Sequence, residues 1–233
     1  MTVFLDFPDG FQAIVIGASG GIGSACVAAL EPDNRCARVI GLSRSSRPPV
    51  DLLDEATLAQ AAASLASAGP YHLIITSVGI LQSENLQPEK SLRALDPQMM
   101  ARSFAINAIG PALVIKHFAP LLPKSGRSVL ATLSARVGSI EDNRLGGWYS
   151  YRASKSALNQ LMRTASVEIA RTRPEAVLFA LHPGTVATRL SQSFNPAHEV
   201  FTPSEAASRL LAVMSAARTS GQFLAYDGSN IPW

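Results

Sequence analysis

Short apolar runs alternate with longer amphipathic or alanine-rich stretches along the whole chain. The runs at 13–16, 39–42, 71–77, 128–133, 176–181 and 222–226 are brief and rich in Val, Ile and Leu, which predicts buried strands. Between them, the helix-forming stretches 24–30, 54–68, 97–122, 151–171 and 203–217 predict helices. Asp54 stands where an N-cap belongs, and the third helix is interrupted around Asn107, Gly110 and Pro111. Strands alternating with helices predict an α/β fold: a Rossmann-type, doubly wound, mostly parallel sheet with helices on both faces. Residues 1–233 read as a single domain, with no internal repeat, low-complexity tract or linker.

One place breaks the alternation. Only residues 45–49, Ser-Ser-Arg-Pro-Pro, separate the second strand from Val50. Parallel neighbours need a crossover of roughly a dozen residues or more. An edge strand near Val50 is therefore expected to be reduced to a bridge or missing.

The first strand runs into Gly17-Ala18-Ser19-Gly20-Gly21-Ile22-Gly23 and then a small-residue helix. Glycines in a strand–turn–helix let the backbone approach a pyrophosphate, and the helix start supplies free N–H groups for an anion. The spacing satisfies two patterns: Gly17, Gly21 and Gly23 fit G-x-x-x-G-x-G, while Gly17, Gly20 and Gly23 fit G-x-x-G-x-x-G. A plain strand-to-helix turn would use the same residues.

Tyr151 and Lys155 stand four apart on a predicted helix and so share a face. A phenol titrates near pH ~10 unperturbed, and a neighbouring ammonium favours the phenolate, so the pair is expected to have a lowered Tyr151 pKa. Tyr149 is a poorer acid, because the residue four further on is Ala153. A strand end carries Ser134 upstream, with Ser139 as a rival donor further into the loop.

Composition narrows the picture. Hydrophobic residues make up 47% and charged residues 16%, which predicts a compact soluble chain. A net charge of +3, without a Lys/Arg block, gives no argument for nucleic acid. The uncharged run 13–30 reaches membrane-span length, but its glycines and small polar residues favour a strand plus a buried helix, so no membrane partner is expected. The two cysteines, Cys26 and Cys36, are read as reduced thiols in a cytoplasmic protein. No Cys/His/carboxylate spacing suggests a metal.

Gly17–Gly23, Asp51, Asn107, Ser134, Tyr151/Lys155 and Pro183-Gly184-Thr185 appear in the order of a short-chain dehydrogenase/reductase, and the chain resembles that superfamily over nearly its whole length. The length favours the single-domain branch over the extended branch, whose members carry a separate substrate domain. Residues 133–139 and 142–155 are most similar to the C-factor, or cell-signalling, members. The resemblance implies hydride transfer between a nicotinamide cofactor and a carbonyl or alcohol substrate. It makes Tyr151 the acid/base, with Lys155 holding the nicotinamide ribose and tuning it. Ser134 orients the carbonyl, and Asn107 supports a water that links Lys155 to bulk. The implied cofactor contacts are Gly17, Ser19, Gly21, Ile22 and Gly23, then Ser43 and Arg44, then Asp51 and Leu52. Val78, Gly79, Tyr151, Lys155, Pro183, Gly184, Val186 and Thr188 complete the set.

Departures from the family pattern matter as well. Ser43, Arg44 and the nearby Arg47 stand where an acidic residue would repel a 2′-phosphate, so NADP(H) is expected over NAD(H). Thr76-Ser77-Val78-Gly79 replaces the family's Asn-Asn-Ala-Gly and keeps only its glycine. Leu133-Ser134-Ala135-Arg136-Val137-Gly138 has one Ser where the family has a pair, and aligned on Gly138 it is Ala135 that meets the catalytic position. An inserted residue after Ser134 would restore the register. Trp148 and Tyr149 either line a substrate pocket or pack a loop, and His182 reads as a strand-end residue. A homodimer or homotetramer is expected, with the apolar positions Leu158, Leu161, Met162, Ala165 and Ile169 available for it or for the sheet. The rival function is a dinucleotide-binding signalling or regulatory protein with little turnover. Substrate identity is assigned to the loops 138–147 and 190–202, which the sequence does not decode.

Overall fold

A computed structural model describes residues 7–82, 87–190 and 199–233. Within them lies one six-stranded, wholly parallel sheet: β1 (Phe11–Ile16), β2 (Cys36–Leu42), β3 (Leu73–Thr76), β4 (Ser128–Leu133), β5 (Ala176–His182) and β6 (Gln222–Ala225). The strand order is β2-β1-β3-β4-β5-β6. The helices are α1 (Gly21–Leu30), α2 (Glu55–Leu65), α3 (Pro97–Phe104), α4 (Gly110–Phe118), α5 (Tyr149–Ile169) and α6 (Pro203–Ala216).

The strand pleat divides the core in two. Ile14, Ile16, Ile74, Leu130, Leu178 and Ala180 face the layer of α2, α4 and α5, where Leu58, Val114, Phe118, Leu158 and Met162 cover them. Ala13, Val15, Leu73, Ile75, Val129, Ala131 and Phe179 point the other way, onto Cys26, Leu30, Leu210, Leu211 and Met214 of α1 and α6. A strand buried on both faces needs no polar alternation, which is why these runs read as continuous apolar segments. Order reverses at β1, whose neighbours are β2 on one side and β3 on the other. A parallel sheet opens its ligand crevice at such a switch point, outside the carboxyl ends of the strands.

The segment near Val50 forms no strand, as its short connection requires; its Val50 N–H donates to the carbonyl of Ser43, just past β2, at 2.8 Å, and Val50 packs in the same core as Leu42. Serines knit the intervening turn: Ser46 Oγ lies 2.7 Å from both Ser43 O and Pro48 O, which share its one proton, and it accepts from Ser43 N at 2.9 Å. Asp54 accepts from Ala56 N and caps α2 as expected. The interruption in 97–122 is a π-helical segment, Ala105–Ile109, centred on Asn107 and followed directly by α4. Leu52 packs so closely on Gly110 that a Cβ there would lie 2.6 Å from its own Cβ.

Several boundaries differ from expectation. Helix α1 begins at Gly21 rather than 24, and α5 begins at Tyr149 rather than 151. Strand β2 begins at Cys36 rather than 39, while β3 is confined to four residues. The continuous helical stretch Pro97–Leu121 is long and apolar enough to cross a membrane by length and composition; half of its most apolar window is buried against the fold. Of the α5 positions considered for oligomer contacts, Leu158 and Met162 belong to the core, with Ala165 and Ile169 packed against it. Leu161 instead faces outward, 37% exposed.

Candidate active site

The glycine turn is built by close approach. Gly17 has φ +91°, and a Cβ there would lie 2.8 Å from Ser77 Oγ and 2.9 Å from Val78 Cγ2. A Cβ on Gly23 would collide with the Gly17 carbonyl, and one on Gly21 would stand 2.7 Å from Thr188 Cγ2. Ser77 Oγ donates to Ile16 O at 3.0 Å, pinning the end of β3 to the end of β1. Helix α1 has Gly20 at its N-cap and no side-chain cap, so no side chain of its own takes up the N–H groups of its first turn. Ile22 packs against Val186 and Phe201, which puts Val186 and Thr188 beside the same turn. Gly184, at φ +77°, lies under Phe201 and Tyr226.

Beyond β2, Ser43 is half-buried; Arg44 and Arg47 are exposed, and no acidic side chain pairs with either arginine among the described residues. Asp51 is half-buried, with Oδ1 accepting from Leu53 N at 3.0 Å, and Leu52 is buried behind it.

Across the crevice, the first turns of α5 carry Tyr151 and Lys155, both buried. Lys155 Nζ donates to Leu133 O at 3.0 Å and stands 5.9 Å from the centre of the Tyr151 ring. Burial lowers the Lys155 ammonium to about 8. Burial pushes the Tyr151 phenol up, above its ordinary range. This corrects the expectation of a lowered phenol: desolvation outweighs the ammonium, whose hydrogen bond goes to the strand carbonyl.

Asn107 is fully buried and fully engaged. Its Oδ1 accepts from Ile80 N and its Nδ2 donates to Ile80 O, both at 2.8 Å, and Nδ2 also reaches Ser103 Oγ and Ser154 Oγ at 3.2 Å. A Cβ on Gly79 would lie 3.3 Å from Asn107 Oδ1 and 3.4 Å from Lys155 Nζ. Gly79, Asn107 and Lys155 thus meet at one point. That meeting combines a loop, a helix defect and a second helix.

Ser134 does not join them. Its hydroxyl donates to Asn159 Oδ1 at 2.7 Å, eight residues beyond Tyr151 and so about 12 Å further along α5. In this structure the hydroxyl expected to be the carbonyl donor instead ties β4 to α5. Ser139 is occupied too, donating to Trp233 O at 3.4 Å and accepting from Asp142 N at 3.0 Å. His182 sits at the end of β5, edge-on to Tyr226.

One buried residue escaped the sequence reading. Glu89, 6% exposed, accepts from Ser150 N at 3.2 Å and from Ser150 Oγ, and its main-chain carbonyl accepts from Trp148 N. Trp148 is the N-cap of α5 in the left-handed region, φ +52°, with its ring edge-on to Tyr151 at 6.2 Å. The available signal was indirect: Gly146, Gly147 and Trp148, the residues immediately before Tyr149, carry no capping side chain.

A parallel doubly wound sheet, a glycine turn at its switch point and a buried Tyr/Lys pair opposite define a dinucleotide-dependent oxidoreductase. The comparisons agree. A family model described as enoyl-(acyl carrier protein) reductase matches residues 17–229, and the chain belongs to the short-chain dehydrogenase/reductase family. It is 31% identical over 189 residues to the 1-hydroxy-2-glutathionyl-2-methyl-3-butene dehydrogenase of Rhodococcus sp. (strain AD45), covering 80% of this chain and 79% of that one. It is 34% identical over 168 residues to C-signal of Myxococcus xanthus, covering 71% and 94% respectively. The NADPH-bound carbonyl reductase from chicken fatty liver superposes with a TM-score of 0.84 at 25% identity, covering 98% of this chain and 96% of that one.

Proposed function

We propose that this protein is an NADP(H)-dependent oxidoreductase interconverting a carbonyl and an alcohol, with Tyr151 as general acid/base. One observation carries the reading. Of the hydroxyls of Ser134, Ser139 and Tyr151, only that of Tyr151 has no hydrogen-bond partner among the described residues. Tyr151 Oη donates its proton to the carbonyl oxygen as negative charge develops there, and takes the proton back from the alcohol in reverse. Burial keeps the phenol protonated, which suits the reducing direction. The Lys155 ammonium stabilises the phenolate left after transfer.

The residues fit the cofactor, because Gly17, Gly21 and Gly23, where a Cβ would clash with Ser77, Thr188 or the Gly17 carbonyl, keep the turn tight at the start of α1, where a pyrophosphate binds. Gly17, Ser19, Gly21, Ile22 and Gly23 would hold the pyrophosphate, and Asp51, Leu52, Val78 and Gly79 the adenosine. Pro183, Gly184, Val186 and Thr188 would flank the nicotinamide, with Lys155 on its ribose. Ser43 and Arg44 would take the 2′-phosphate, and the NADPH in the similar carbonyl reductase supports that choice. When bound, the cofactor supplies or accepts the hydride. Asn107 holds the Gly79–Ile80 segment against α5. The test is NADPH turnover against a panel of aldehydes and ketones, with the matching alcohols and NADP in reverse. Turnover that Tyr151→Phe abolishes supports the reading, and no turnover on either panel overturns it.

A dinucleotide-binding signalling protein with little turnover is the second reading. The commitment of Ser134 to Asn159 and the likeness to C-signal favour it. Cofactor binding without turnover on both panels would select it. For assembly we propose a homodimer or homotetramer, with the outward Leu161 and Val167 of α5 in the contact. A monomeric sedimentation profile at micromolar concentration would count against that.

A further inference from the structure

We propose that Glu89 is a positioning residue for the reaction: it clamps the first turn of α5 and so fixes where the Tyr151 hydroxyl stands. The proposal rests on the reading of Tyr151 as acid/base. The first turn of a helix has no intrahelical partners for its N–H groups and frays unless they are held. Here Tyr151 is the third residue of α5. No side chain of the helix's own N-cap holds that turn, because the N-cap is Trp148. Glu89 takes its place from 61 residues away, receiving both the N–H and the hydroxyl of Ser150 on its carboxylate.

The carboxylate is buried, and a buried anion persists only where hydrogen bonds and local positive potential compensate its lost hydration. A helix N-terminus supplies both. The same residue also sets Trp148. Its carbonyl accepts the Trp148 N–H, and Trp148 adopts a left-handed conformation that a bulky side chain rarely takes. That conformation lays the indole edge-on to the Tyr151 ring. From the other side, Ser103 Oγ approaches Ser150 O at 3.4 Å, and Ser154 Oγ donates to Tyr151 O at 2.9 Å. The main chain around Tyr151 is thus held on both flanks, while its hydroxyl is left to the substrate. The remainder of α5 is secured by Leu158 and Met162 in the core, so losing the clamp leaves the helix docked and loosens its first turn.

The test uses the full chain with NADPH and whichever carbonyl compound the panel shows to be turned over. Glu89→Ala is expected to lower kcat by about 10- to 100-fold, the scale of a slight misplacement of a reacting group. NADPH Kd should stay within about twofold, because the pyrophosphate and adenosine contacts lie on other elements and Lys155, the α5 contact to the ribose, stands beyond the first turn. Glu89→Gln, which keeps an acceptor for Ser150, should recover most of kcat. The near-UV circular dichroism of the Trp148–Tyr151 pair should weaken in Glu89→Ala and return in Glu89→Gln. If Glu89→Ala does not fold, Ser150→Ala carries the test, with kcat falling and NADPH Kd unchanged. A Glu89→Ala protein with a lower Tm but full kcat overturns the proposal. So does loss of kcat and NADPH affinity in equal proportion. Tyr151→Phe runs beside these variants: should it stay active, the acid/base assignment fails, whereas an inactive Tyr151→Phe with an undisturbed Glu89→Ala removes only the clamp.

Discussion

Ser134 and Asn159 are joined by a 2.7 Å hydrogen bond that ties the end of β4 to the middle of α5. Asn159 Nδ2 in turn reaches Gly138 O at 3.4 Å, so the pair braces the turn after the strand. The next residue, Ala135, remains extended at φ −147° and ψ 142°, so its side chain points away from Asn159. Ser134→Ala should therefore act on stability, leaving Asn159 Oδ1 buried without a donor at a cost of about 1–3 kcal/mol. Chemical denaturation measures that loss, and kcat per folded molecule should remain within about threefold. Ala135→Ser should instead raise kcat by at least about 10-fold, by adding a donor at the strand end. A large kcat loss in Ser134→Ala would restore that serine to the chemistry.

The Lys155 pKa sets a pH signature. Lys155 titrates near 8 in the folded protein, below its ordinary value of 10.5, because burial penalises the ammonium. Between those values the unfolded chain binds a proton that the native state has released, so stability rises with pH. The Lys155 contribution accumulates to about 2–3 kcal/mol between roughly pH 8 and 10, opposed above pH ~9 by the buried Cys26 thiol, which burial pushes up to about 12; Lys155→Met should remove the Lys155 part alone. Above pH ~10 the sign reverses, since the raised Tyr151 pKa keeps the native phenol protonated while the unfolded one ionises. Urea midpoints from pH 7 to 10, for the parent and Lys155→Met, check the slope. The same slope in the parent and in Lys155→Met would refute the buried ammonium.

How much of this was legible in the sequence follows from how each feature is encoded. Strand β4 matches its predicted run residue for residue, because both of its faces are covered and Val129, Leu130, Ala131 and Leu133 fill the two cores, although Ser128 and Thr132 are buried with them. The start of β2 was missed since Ala37 and Arg38 are exposed at the sheet edge and break the run. The start of α1 was missed because glycines carry no helical periodicity, although Gly21 and Gly23 are required there by close contacts. Tyr151 and Lys155 were readable because four residues along one helix fix their relation. Glu89 was not: its link to Ser150 spans 61 residues, and no local pattern records it. The bond from Ser134 to Asn159 was not legible for a related reason, since one-dimensional spacing does not say which side of a pleat meets which turn of α5.

Arg44 is the test of cofactor choice. It is exposed just past the end of β2, with no acidic neighbour paired to it among the described residues. Arg44→Ala should weaken NADP(H) binding by about 1.5–3 kcal/mol, the worth of a hydrogen bond to a charged group, and leave NAD(H) nearly unchanged. Fluorescence titration with both reduced cofactors measures this. Equal losses for the two would remove the 2′-phosphate assignment.

Asn107 provides the most demanding prediction, because its amide joins three pieces of the site at once. Its Nδ2 faces Ile80 O, Ser103 Oγ and Ser154 Oγ, while its Oδ1 holds Ile80 N. The π-helical segment around it turns this side chain toward the Gly79 loop, where an ordinary helical turn would direct it elsewhere. Asn107→Asp keeps the acceptor for Ile80 N but replaces the donor with an oxygen facing three oxygens. It also sets a carboxylate near Lys155, whose ammonium shares the neighbourhood of Gly79 with Oδ1. That charge should raise the Lys155 pKa and move the rising limb of stability against pH upward. Asn107→Leu removes every one of these bonds and should cost about 3–5 kcal/mol of stability, several buried polar partners being stranded together. In both variants NADPH affinity and kcat should fall together, because the loop over the cofactor side and the first turns of α5 lose the same anchor. The measurements are NADPH Kd, kcat and the pH dependence of the urea midpoint. Unchanged Kd in Asn107→Asp, with only kcat reduced, would confine Asn107 to the proton path and dismiss it as the link between the two halves of the site.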